Sequence, residues 1–441
     1  MAVETYQEAL TFIHERPRFK KKPTLDRMRL FLNRLGNPER GQHYIHITGT
    51  NGKGSVVAMT RQMLMDQGLT VGSFTSPFIT RFNERIAING HPISDQDLVH
   101  YTQRVEPVVN ELDQELPEGG PTEFEIDTAI MFCYFADHNL DVVILEVGIG
   151  GTYDSTNVIE NPAVIAIVTV GYDHMKYLGS TLAEIAQHKA GIIKDGVPVV
   201  VGNLPTEAQQ VIQRTAAEHH SLLYQLGRNF QSELEVLHGI YPEIMYTGLQ
   251  LHRERYRLSL AGDYQRVNCG VALTIVQLFM QEQGLNLDLR EIRVALHNTK
   301  WPGRMELVNE EPLVILDGAH NLPGMQALVE TIRNDLRSHQ VYVLVAILAD
   351  KQYDLMLGEL ASLSNVHITV TSFAGPSANR PSADLSSIVQ TIPSYYPIQV
   401  VRDWQQALAY ITTEISTDDV VLITGSLYFI SDVRHLMLDE K

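Results

Sequence analysis

The chain has 441 residues, with 34 lysines and arginines against 52 acidic residues and a net charge of -18. That length exceeds one compact core and implies two or three domains, and the acidic balance argues against a broad nucleic-acid-binding face. Cys133 and Cys269 stand far apart without ligand spacing, so neither a disulfide framework nor a zinc site is implied, and a reducing cytoplasm is the expected compartment.

The N-terminal stretch MAVETYQEALTFIHERPRFKKK has no apolar signal-peptide core, and the longest apolar runs, such as VYVLVAILA, fall far short of a membrane span. A soluble protein with no membrane partner is expected. Residues 16 to 22, RPRFKKK, form the most basic run, which reads most simply as a solvated charge run. Next, YIHIT predicts a strand leading into a helix from about Ser55 to Asp66, with Val56, Met59 and Met63 on one face and Gly68 as the stop. DVVILEVG, PAVIAIVTV and VPVVVG predict further strands, and short strand-like pieces between Phe230 and Leu260 predict an antiparallel appendage. A helix follows at about Val267 to Gln281, after which HNTKWPGRMEL breaks the regular pattern. The strands PLVILDG, VYVLVAIL, VHITVT, IQVV and VVLITGS then make a second alternating series.

This alternation predicts an α/β fold with mostly parallel sheets. The boundary is expected near Asn298 to Lys300, separating a nucleotide-binding domain (1–298) from a smaller Rossmann-like α/β domain (299–441).

HITGTNGKGS, residues 46 to 55, departs from the usual phosphate-loop pattern G-x-x-x-x-G-K-[ST], because Ile47 and Gly54 stand where the first glycine and the hydroxyl residue belong. It still brings Gly49, Gly52, Gly54 and Lys53 to the start of a helix, where backbone amides, a cation and the helix dipole suit a triphosphate. A glycine-rich turn with a chance lysine is the bland alternative. With Ser55 displaced by one residue, a magnesium ion needs another hydroxyl. Ser76 follows the next predicted strand, and Glu146 ends DVVILEVG as a Walker B acid does. Taken singly, Ser76 reads equally as a turn residue.

HITGTNGKGS, TSPFITRFNERI, LEVGIGGTYDSTNV, VGYDHMKYLG, IAQHKAGIIK, LDGAHN and ITGSLY, in this order along nearly the whole chain, resemble the folylpolyglutamate synthase family. That family belongs to the Mur ligase superfamily, which also includes dihydrofolate synthase. The resemblance implies an ATP-dependent ligase that phosphorylates the γ-carboxyl of a folate's terminal glutamate and lets the amine of free L-glutamate attack the acyl phosphate. It implies that Gly49, Thr50, Asn51, Gly52, Lys53, Gly54 and Ser55 cradle the phosphates and that Asn268, Arg304 and Asp317 contact the nucleotide. It also implies that Ser76 and Glu146 bind one Mg2+, and that Glu146, His174 and a carbamylated Lys189 bind a second. Two ions about 3.5–4 Å apart balance charge on a phosphoryl group and an incoming carboxylate. A monovalent cation such as K+ is a further expectation.

His320 is implied beside the reacting centre, and Arg85, His320 and Ser426 as donors for the incoming glutamate. Phe78, Phe82, Asp154 and Ser155 are implied on the folate side, along with the loop from Lys22 to Leu25, which lies beside the pterin end in family members. Read without the resemblance, His174 is a hydrogen-bonded structural histidine, Lys189 an ordinary helix cation with Lys194 an equal competitor, and Asp317–Asn321 a capping turn with Asn321 as cap and Pro323 in the first turn. The chain is expected to act as a monomer.

Rival readings fit less well. A cell-wall Mur ligase carries a uridine-nucleotide-binding domain ahead of the phosphate loop, and 48 residues precede Gly49 here. A GTPase would need N-K-x-D, which HNTKW does not supply. A non-catalytic nucleotide-binding module would have lost Glu146 and His174. Within the family, Ser155 stands where members that also join dihydropteroate to glutamate more often carry alanine, and PTEFEI resembles the chain-extending type. The expected activity is therefore folylpolyglutamate synthesis, with the bifunctional enzyme as the alternative.

Overall fold

The computed structural model describes residues 3–17, 23–375 and 380–438. Residues 18–22 of the basic run, including Lys22 of the expected pterin-side loop, lie outside the described residues.

The N-terminal domain is built on an eight-stranded sheet. Its strands are β1 (Tyr44–Thr48), β2 (Val71–Phe74), β3 (Ile86–Ile88), β4 (His91–Pro92), β5 (Val142–Glu146), β6 (Val164–Ile167), β7 (Val199–Val201) and β8 (Leu223–Gln225). The order is β4-β3-β2-β5-β1-β6-β7-β8, parallel except where β3 meets β2 and β4. Every residue of β1, β2, β5, β6 and β7 is buried, as β-branched strands covered by helices on both faces require. In such sheets ligands sit beyond the carboxyl ends of the strands, near the point where the chain reverses its direction across the sheet. Four neighbouring strands, β2, β5, β1 and β6, send the segments carrying Ser76, Glu146, Gly49 and His174 from that edge.

The phosphate-loop helix spans Lys53–Asp66, two residues longer at its start than expected, because Gly52 takes the N-cap place in a left-handed conformation (φ 83°). Val56, Met59 and Met63 face the core, and they pack with Cys269, Leu273 and Val276 of the helix Tyr264–Glu282 in one cluster. The expected appendage is a three-stranded antiparallel sheet of β9 (Phe230–His238), β10 (Tyr241–Gly248) and β11 (Leu251–Arg257). Cys133 and Cys269 are free and buried.

After the helix Leu289–Asn298, residues 299–305 lead into a six-stranded sheet of β12 (Glu306–Glu310), β13 (Leu313–Leu316), β14 (Val341–Val345), β15 (Val366–Ser372), β16 (Gln399–Asp403) and β17 (Val420–Thr424). The order is β12-β13-β17-β14-β15-β16, with β12 antiparallel and the rest parallel. Its carboxyl edge emits the loops with Asp317, His320, Lys351 and Ser426, and this edge meets that of the first sheet. No helix among the described residues is long and apolar enough to cross a membrane.

Candidate active site

The phosphate loop is pinned by the segment that follows β6. Thr50 N–H donates to Thr169 O (2.9 Å), Thr50 Oγ1 donates to Gly171 O (3.1 Å), and Asn51 N–H donates to Thr169 Oγ1 (2.9 Å). A Cβ on Gly52 would lie 2.5 Å from Asn268 Oδ1, so both the close approach and the positive φ require glycine there. Lys53 stands in the first turn, where its Nζ donates to Gly49 O (3.0 Å) and lies 3.8 Å from Glu146 Oε1.

Ser55 is turned away from the loop mouth. It is 1% exposed, and its Oγ accepts from Gln265 Nε2 (3.2 Å), while Gln265 Oε1 accepts from Asn268 Nδ2 (2.9 Å). Ser76, by contrast, lies beside Glu146, close enough for its backbone N–H to pull on the Glu146 carboxyl. Burial pushes that carboxyl up to about 7, against the opposing pull of Lys53, Arg304 and the Ser76 N–H. Lys189 is 2% exposed, and burial together with the neighbouring Lys53 pushes its ammonium down to about 7. Lys189 is thus a core residue of this site, whereas Lys194 donates to Asn157 O (3.4 Å).

His174, in a left-handed conformation (φ 50°), opens a short helix at Met175–Leu178. Burial holds its imidazole neutral, with Lys351, Lys53 and Lys189 adding to the effect and Asp173 opposing it. Asp173 ties the two domains together. Lys351 Nζ reaches its Oδ1 at 2.5 Å, Asn321 Nδ2 donates to its Oδ2 (2.8 Å), and His320 Nε2 lies 3.7 Å from the same oxygen. Asn321 also exchanges two hydrogen bonds with Asn51 (2.9 and 3.1 Å) and caps the helix Leu322–Asp335 through Gly324 N–H, with Pro323 in its first turn. Lys351 carries no motif in the sequence.

Other expected residues are engaged with their neighbours. Asp154, 6% exposed, spends its carboxylate on Thr156 N–H and Oγ1 and on the amides of Gly148 and Ile149. Thr156 Oγ1 in turn accepts from His46 Nε2 (2.8 Å), while His46 Nδ1 is buried with no hydrogen-bond partner among the described residues. This chain, with Thr48 Oγ1 donating to Gly150 O (2.6 Å), fastens the loop after Glu146 to β1. Ser155 is buried beside it.

Arg85 lies over the rings of Phe78 (5.3 Å) and Phe82 (5.6 Å), with its Nε 3.8 Å from Asp127 Oδ2. Phe82 is a core residue at 3% exposure, so Phe78 offers the more open ring. Asp317 accepts from the amides of Met305 and Ala319 and from Tyr264 Oη, with Arg304 as its neighbouring cation. Ser426 is buried, and its Oγ has no hydrogen-bond partner among the described residues.

Two family comparisons match this architecture. The Mur ligase middle domain matches residues 47–276 and the Mur ligase glutamate ligase domain matches residues 303–427. The dihydrofolate synthase/folylpolyglutamate synthase of Bacillus subtilis is 40% identical over 438 residues, covering 97% of this chain and 98% of the relative. The chain belongs to the folylpolyglutamate synthase family of Mur ligases. The folylpolyglutamate synthase of Lacticaseibacillus casei is 38% identical, with 99% of each chain covered. The apo structure of that L. casei family member superposes with a TM-score of 0.86 at 36% identity, covering 99% of this chain and 100% of the other. A folylpolyglutamate synthase complex with AMPPCP and folate superposes at 0.84 and 36% identity, with the same coverage.

Proposed function

We propose that this protein is an ATP-dependent ligase that adds L-glutamate to the γ-carboxyl of a folate through an acyl phosphate, releasing ADP. The observation that carries the reading is the gathering of Lys53, Glu146 and Ser76 at the mouth of a phosphate loop whose own serine is turned away. The full-length similarity to folylpolyglutamate synthases supports the substrate class. The domains divide at residues 298 and 299, where the helix Leu289–Asn298 ends.

The amides of residues 49–55 and Lys53 hold the phosphates, with Asn268 bounding the nucleotide from the first domain and Arg304 and Asp317 from the second. Glu146 fits a hard cation, since it is a buried carboxyl lifted to about 7 with Lys53 no nearer than 3.8 Å. Ser76 and Glu146 would hold one Mg2+, and Glu146, His174 and Lys189 as its carbamate would hold a second. Bound there, Mg2+ offsets negative charge on the phosphates and the carboxylate. Lys189 suits carbamate formation because an amine held near 7 has a large neutral fraction to attack carbon dioxide. No residue set is assigned to a monovalent cation.

His320, beside Asp173, faces the junction of the two domains, where the meeting edges exclude water from the acyl phosphate. Phe78 offers a ring to the folate, and Arg85 and Ser426 supply donors for carboxylates. Asp154, Ser155 and Phe82 act by shaping that wall.

The test is ADP release with ATP, tetrahydrofolate and glutamate, omitting each in turn. Release that needs all three supports the ligase, and release indifferent to glutamate overturns it. The name of the B. subtilis relative includes dihydrofolate synthesis, so dihydropteroate belongs in the same assay. Comparable turnover on it would make the enzyme bifunctional.

A further inference from the structure

The linker between the domains carries Trp301, one of two tryptophans in the chain, and its indole lies against the first turn of the phosphate-loop helix. A Cβ built on Gly54 would sit 2.7 Å from Trp301 Nε1 and 2.8 Å from both Cε2 and Cζ2, closer than real Cβ contacts come. The indole therefore occupies the space that a hydroxyl residue after Lys53 would need. The linker is firmly held on both sides of it. Ser259 Oγ donates to Thr299 O (2.5 Å), Gly303 N–H donates to Glu306 (2.8 Å), Met305 N–H donates to Asp317 (3.0 Å), and the indole packs on the core beneath the helix.

We propose that Trp301 is a positioning residue for the nucleotide. By filling the space over Gly54 it fixes the first helical turn, with Ser55 directed to Gln265, and it couples the phosphate loop to the linker that presents Arg304. The proposal rests on the ATP reading of the loop. It makes the order Lys53-Gly54-Ser55 a consequence of a contact 247 positions away in sequence, so the two positions should be coupled under substitution.

The experiment titrates AMPPCP calorimetrically into the wild type, Gly54→Ser, and Gly54→Ser combined with Trp301→Ala. Overpacking in Gly54→Ser should weaken binding about tenfold, and the double variant should recover most of that loss. In a Trp404→Phe protein, whose indole emission comes from Trp301 alone, AMPPCP should shift the emission. In Trp301→Phe, KM for ATP should rise more than kcat falls. A double variant no better than Gly54→Ser, or an emission unmoved by bound AMPPCP, overturns the proposal. A wild type that does not bind AMPPCP overturns the ATP reading and this proposal together.

Discussion

Ser55 Oγ accepts a hydrogen bond from Gln265 Nε2 at 3.2 Å, so the hydroxyl nearest Lys53 serves the helix Tyr264–Glu282 instead of the phosphates. Ser76 lies beside Glu146, and its hydroxyl is the group that an alanine there would remove. Ser76→Ala should therefore lower magnesium-dependent kcat by about 10²-fold, the scale of losing one stabilising group at the reaction centre. Ser55→Ala should cost about 1 kcal/mol of stability through the lost hydrogen bond and change turnover less. Kinetics at limiting Mg2+ decide it, and a larger defect in Ser55→Ala would refute the exchange of hydroxyls.

Lys189 is buried, and burial with the neighbouring Lys53 disfavours its ammonium while Asp173 and Asp154 favour it; the proposed carbamate is tested by substitution. Lys189→Ala should lower kcat by about 10²-fold while nucleotide binding changes less, and short carboxylic acids should restore part of the turnover. Mass measured on unacidified protein should show the added carbon dioxide. Near wild-type turnover in the alanine variant would return this residue to a structural role.

The sequence made the alternation of strands and helices, the phosphate loop and the displaced serine legible, because each depends on neighbouring residues. The Asn321 cap with Pro323 was legible for the same reason. Lys351 meeting Asp173, 178 positions away, and Trp301 over Gly54 were not, since only the tertiary fold joins them. The strands β3, β4 and β12 escaped notice because short, partly exposed edges lack a continuous apolar run. Asp154 resembles a substrate ligand in its motif, whereas in the fold its own loop supplies four donors.

His46 is buried, and burial pushes its imidazole down to about 3 from an ordinary value of 6.5, with Lys194 adding to the effect. Between those values the unfolded chain binds the proton and the folded chain does not, so stability falls as pH drops from 6.5 towards 3. The slope from this one group is about 1.4 kcal/mol per pH unit. Denaturant titrations at pH 7, 6 and 5 should show a slope shallower by about that amount in His46→Gln. Equal slopes in the two proteins would show that His46 is not the acid-labile group.

The Lys351–Asp173 pair is buried between the domains, with side-chain exposures of 10% and 8%. Lys351→Ala leaves Asp173 without its cation and should destabilise the protein by about 3 kcal/mol, read as a lower denaturation midpoint. Small-angle scattering should show a more open particle in this variant. In the wild type, closure should require folate and glutamate together, and one unchanged envelope in every ligand state would contradict that.

The central claim is tested most directly by the mass of the folate product. With ATP, Mg2+, tetrahydrofolate and isotopically labelled glutamate, the product should gain labelled glutamate residues in step with ADP release, and dihydropteroate should gain far less. ADP release without labelled folate, or a label carried only by dihydropteroate, would contradict the account.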